Sequence, residues 1–161
     1  MIRTIFIVIL LGIIATLVMD VGGALLRAAG ITSGTPPELI GKWIHSVFKG
    51  NIMVDDIRTS SGEQVSLGRF LVYHYIIGII LASFFYVLVL LLKIEHIEWW
   101  QPLLYGLATT LIPAFLMFPA MGFGILGLRG PEEYLLLRTA ILNHLFLLIS
   151  CRVNTCQIGV C

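Results

Sequence analysis

Residues 5–26 read IFIVILLGIIATLVMDVGGALL, twenty-two positions with a single charge, Asp20. A helix needs roughly 20 apolar residues to cross ~30 Å of hydrocarbon at ~1.5 Å per residue. Three further stretches have the same character: 70–92 and 102–126 carry no charge, and 135–151 carries only Arg138. Over the 161 residues, 58% hydrophobic and 12% charged side chains with a mean hydropathy of +1.00 leave too little polar surface to coat a soluble globule. The expected fold is therefore all-α: a single integral membrane domain over 1–161, with four transmembrane helices in a bundle. A net charge of +1 without a Lys/Arg run gives no reason to expect nucleic acid as a partner. The expected surroundings are the lipid bilayer.

The first stretch also resembles a signal peptide, because Arg3 precedes it and Ala28-Ala29-Gly30 follows. It is about twice the ~7 to 15 residues of a signal core, and Asp20 and Arg27 come before the small residues, so it is expected to be retained. Orientation follows from the ten Lys and Arg residues. Arg27, Lys42, Lys49, Arg58, Arg69, Arg129 and Arg138 share one side and Arg3, Lys93 and Arg152 the other, seven against three. Both termini are thus expected outside and the long first loop inside.

Within that loop, Thr35-Pro36-Pro37-Glu38 has the form of a helix start, with Thr35 as cap. Leu39, Ile40, Trp43, Val47 and Phe48 then recur on one face and Gly50 can close the helix, which predicts a short interfacial amphipathic helix over 36–49, on the membrane surface or across the bundle mouth. From Asn51 to Gly68 the chain turns polar and reads as an exposed loop. Trp99 and Trp100 open the third span at headgroup level.

Gly12 with Thr16, Gly78 with Ala82, and Gly106 with Thr110 are four apart, so each pair lies on one face and permits close helix approach. Such faces also suit a second copy or another membrane protein. In the third span Pro113 and Pro119 remove backbone donors and Gly122, Gly124 and Gly127 loosen the end, which predicts a kinked or partly unwound helix. Its G-x-G-x-x-G spacing has no preceding strand and is a chance match. Gly12 to Leu17 resembles Gly106 to Leu111, and Tyr73-His74 echoes Asn143-His144, as two hairpins of similar design would.

Charged and polar groups held in lipid are costly, roughly 2.5 to 3.5 kcal/mol for an ion at mid-helix on insertion scales, and mark the places to look for function. Asp20 lies about 9 Å and His74 about 6 Å from the first-loop side; Asn143 and His144 lie roughly 12 to 14 Å from it. Asp20, His74, Asn143 and His144 are the candidate polar cluster. Three uses compete for it: a hydrogen-bonded network that fixes helix register in a structural or accessory subunit, a relay that moves or senses a proton or small solute, and a metal-dependent membrane enzyme. The last lacks an H-x-x-x-H spacing or a nucleophile with its base. No metal site, cofactor or catalytic residue is assigned, and a non-enzyme is favoured. Cys151, Cys156 and Cys161 crowd the last eleven residues without a C-x-x-C pattern, as a frameshifted end or a short native tail with free thiols would.

Taken together, Gly12, Ala15, Thr16, Met19 and Asp20, then Gly41-Lys42-Trp43, then His74-Tyr75 and Gly78, then Thr110, Pro113, Pro119, Gly122 and Gly124 resemble small four-pass bacterial inner-membrane proteins catalogued only as a domain of unknown function. The resemblance covers Leu10 to His144. It implies a bacterial cytoplasmic membrane and supplies no activity. Members usually continue the last helix with a Gly-rich apolar run, where this chain has Leu147-Leu148-Ile149-Ser150 and then turns polar.

Overall fold

The computed structural model describes residues 2–32, 36–61, 64–130 and 134–151, and in the last helix the side chains of 136–145. Thr35, Gly62, Glu63, Arg152, Cys156 and Cys161 lie outside the described residues. Among those described, every regular element is a helix. We label them α1 (Ile2–Ala28), α2 (Pro37–Phe48), α3 (Leu67–Leu91), α4 (Trp100–Ala120) and α5 (Tyr134–Cys151).

Helices α1, α3 and α4 are long and apolar enough to cross a membrane, at 27, 25 and 21 residues. Their outward faces have the composition lipid requires. Within the most apolar window of α3 only 11% is buried inside the protein, and Val72, Ile80, Phe84 and Leu91 stand exposed. Where a fourth span was expected the chain forms the helix α5, whose 18 residues give about 27 Å, near the lower limit for a crossing; among the described residues three helices, not four, are long and apolar enough to cross.

Helix α1 packs against both α3 and α5, and α5 packs against α4. The α3 and α4 faces meet through Tyr105, whose hydroxyl donates to Leu81 O at 2.8 Å and whose ring lies 5.0 Å from Phe85. Small residues set these distances. A Cβ on Gly12 would stand 2.7 Å from Ile79 Cα, and one on Gly78 would collide with the Thr16 hydroxyl. On the other pair, a Cβ on Gly106 would come within 2.7 Å of His144 O. Thr16 donates to Gly12 O at 2.8 Å and Thr110 to Gly106 O at 3.1 Å, so both hairpins use a Gly with a Thr one turn on. Their registers differ by a turn: Gly12 lies opposite Gly78, four residues beyond His74, whereas Gly106 lies opposite His144 itself.

Two boundaries depart from the sequence reading. The third span was expected over 102–126, but its helix ends at Ala120. Pro113 opens a wide π turn over Pro113–Met117, in which the Phe118 amide reaches back to Pro113 O. Gly122 and Gly124 then take φ of 84° and 71° and Leu126 takes 59°, a left-handed path no helix can follow. The loop from Asn51, expected to be exposed, is instead docked. Val54 donates to Ala120 O at 2.8 Å and Ile57 to Met121 O at 3.0 Å, while Gly122 lies so close to the Asp55 carbonyl that a Cβ would collide with it. Ile57 is fully buried with Phe118, Met121, Phe123 and Leu136, and Trp43 and Val54 pack around them. The polar letters of this segment hid the few apolar side chains that turn inward.

The amphipathic helix α2 lies beside this core and packs on α3, with Gly41 and Ile44 buried. Pro36 occupies its capping position. Lys42 Nζ donates to Ile57 O at 3.2 Å and also to Ser60 O, and Trp43 Nε1 donates to Ile52 O at 3.0 Å. Together α2 and the docked loop form a cap on the first-loop end of the helices.

Candidate functional site

On α3, Phe70, His74 and Gly78 recur every four residues and so share one face; on α1, Gly12, Thr16 and Asp20 do the same. The two helices run antiparallel and meet closely where Gly78 opposes Gly12 and Thr16. One turn nearer the cap, this register brings Asp20 opposite His74. Because the backbones approach closely, the short Asp20 side chain reaches across, and its Oδ1 lies 3.0 Å from His74 Nε2. With the ring N–H at Nε2, His74 donates and the carboxylate accepts.

The pair is half-buried, His74 retaining 23% and Asp20 36% of side-chain exposure. Phe70 stacks on the His74 ring, with centroids 5.3 Å apart and planes 17° from parallel, and Tyr75 meets it edge-on at 6.1 Å. The Tyr75 phenol also interacts electrostatically with Asp20.

Asn143 and His144 do not join this pair directly. Asn143 lies against α1 at Gly23, where a Cβ would stand 2.9 Å from its Oδ1, one turn of α1 from Asp20. His144 turns towards α4, and its Nδ1 lies 2.8 Å from Thr109 Oγ1. The same hydroxyl bonds Gly106 O at 2.9 Å; when it donates there, it accepts from Nδ1–H of His144. His144 remains within electrostatic range of His74. The four candidates thus form two centres, one bridging α1 and α3 and one bridging α5 and α4, with Asn143 between them. Of the helix-break and packing residues, Gly12 and Gly78 sit at the α1–α3 crossing, while Pro113, Pro119, Gly122 and Gly124 shape the end of α4.

Sequence reasoning named Tyr75 only beside His74 in the family resemblance, and gave Phe70 and Thr109 no part in the cluster. Tyr75 follows His74 directly, and Phe70 precedes it by one turn, a spacing that carried the signal. Thr109 had no such mark, since a Thr in an apolar span ordinarily bonds its own helix. Among the described residues, no three His, Cys, Asp or Glu side chains come together as a metal-ligating set.

A bundle of apolar helices under a packed cap, with an Asp–His pair between two of them, defines a polytopic α-helical membrane protein. Residues 9–155 match the family described as "Protein of unknown function (DUF2938)", and the chain belongs to that family. No curated protein and no solved structure matches the chain.

Proposed function

We propose that this protein binds and releases a proton at the Asp20–His74 pair and uses that event to move or sense a small solute across a bacterial inner membrane. The observation that carries the reading is the 3.0 Å hydrogen bond between side chains of two different helices, in a setting where each partner is expensive to hold. Protonation of the carboxylate removes the charge that attracts the imidazole, so the α1–α3 contact responds to a proton. The first loop and cap are cytoplasmic in this reading and both termini periplasmic, with the seven cations on the inner side.

The test is proton uptake by reconstituted vesicles under an imposed pH gradient, read with an internal pH dye. Wild-type protein is expected to pass or bind protons, and Asp20→Asn and His74→Gln to lose this while inserting normally. Equal signals from wild type, both variants and empty vesicles would sink the proposal. The interlock of Gly12 with Gly78 favours a second reading, an accessory subunit in which the same bond fixes helix register for a membrane partner. In that case Asp20→Asn loses folding rather than a proton signal.

A further inference from the structure

On α5 and in the turn that follows α1, three polar oxygens have no contact with solvent and no hydrogen-bond partner: Thr139 Oγ1, Asn143 Oδ1 and Thr32 Oγ1. Thr32 and Thr139 retain only 5% and 6% of their exposure. Their placement is ordered. Asn143 touches α1 at Gly23, and Arg138 donates to Ile31 O near the end of that helix. At 100° per residue, Thr139 falls on the face of α5 between those two contacts, so it points at α1. It lies one turn from Asn143. Thr32 is the next residue after the carbonyl that Arg138 holds.

Unmet hydroxyl and amide oxygens in an apolar interior are costly, and a buried water that finds about two to four polar partners removes the cost. We propose that the seam between α1 and α5 binds a file of water molecules, running from Thr32 in the turn after α1, past Thr139 and Asn143, to Asp20 one turn beyond Gly23. The site takes water and its protonated form, and it supplies the Asp20–His74 pair from the first-loop side. Arg138 flanks the mouth, where its cation sets a threshold for a proton to pass. The path to Asp20 rests on the proton-relay reading above; the hydration of the seam does not.

Two measurements test this. In a background with Cys151, Cys156 and Cys161 replaced by serine, single cysteines are placed by Thr139→Cys, Asn143→Cys and Ile80→Cys, the last on an outward face 58% exposed. A small membrane-impermeant cationic thiol reagent, added from the first-loop side of membrane vesicles, is expected to label the first two and leave the third. Inertness of both seam cysteines in folded protein overturns the hydration. Thr139→Val keeps the side-chain shape without the hydroxyl and is expected to slow vesicle proton uptake about tenfold, equivalent to ~1.4 kcal/mol on the barrier. An unchanged rate overturns the path. If Asp20→Asn leaves uptake intact while Thr139→Cys is labelled, the relay falls and the seam stands; if Asp20→Asn abolishes uptake and both seam cysteines are inert, the relay stands and the seam falls.

Discussion

Gly78 has no room for a methyl group, because the Thr16 hydroxyl occupies its place. Gly78→Ala is therefore expected to force α1 and α3 apart, at about 1 to 3 kcal/mol for overpacking, and to weaken the Asp20–His74 bond one turn away. Gly68, near the start of the same helix, has open space around it. Gly68→Ala should gain up to ~1 kcal/mol from helix propensity. Thermal unfolding in detergent of the two variants checks both signs. Asp56 gives the pH prediction. Arg58 donates to its carboxylate from Nε and Nη2 and from the backbone amide, and these bonds hold the Asp56 pKa below its ordinary 3.8. A depressed carboxylate stabilises the folded turn above its unfolded pKa and loses that contribution as pH falls through the lower folded value. Acidification below the usual carboxylate range should loosen the turn and change the fluorescence of Trp43, whose indole is tied to Ile52 O. With Trp99 and Trp100 replaced by Phe, the Asp56→Asn variant should lack that acid transition.

At the scale of elements, the cap depends on backbone pairing as much as on packing. Gly122 has φ of 84° and sits against the Asp55 carbonyl, so Gly122→Ala faces backbone strain and collision together. It is expected to undock residues 54–57 and expose the 57–61 segment to limited proteolysis at protease levels that leave wild type intact. Ile57→Ala, in the core of this contact, should cost about 2 to 5 kcal/mol and give the same cleavage. These elements also show what the sequence could carry. Apolar runs longer than a bilayer needs announced α1 and α3 to within a few residues, because lipid imposes length and composition together. The docking of Ile57 was illegible, since its neighbours Asp55, Arg58 and Thr59 are exposed and nothing local says that Met121 will supply an acceptor. The site divides the same way. Asp20 and His74 stood out as polar groups at similar depth, but their meeting depended on the Gly12–Gly78 register, and the separate direction of His144 depended on Gly106.

For the whole molecule, the outward faces of α1, α3 and α4 require an apolar solvent, and the protein should remain with membranes after alkaline carbonate extraction. Reporter fusions after Asn51 and after Arg129 should report the same side, and fusions after Glu95 the opposite one. Agreement of all three sites would contradict the helix order described here. In that order α1 touches α3 through its glycine face and α5 through Gly23, so changes at Asp20 reach two neighbouring helices.

The wide turn at Pro113–Met117 carries a further consequence. It inserts one residue's worth of rotation into α4, about 100° of phase, and thereby aims Phe118 and Met121 at Ile57. Deleting a single residue from this turn would restore a regular spiral and yet swing both side chains away from the cap they support. A shortened chain of that kind should unfold at a lower temperature than any conservative exchange at the same positions, for it changes the direction of every side chain that follows the turn in the helix.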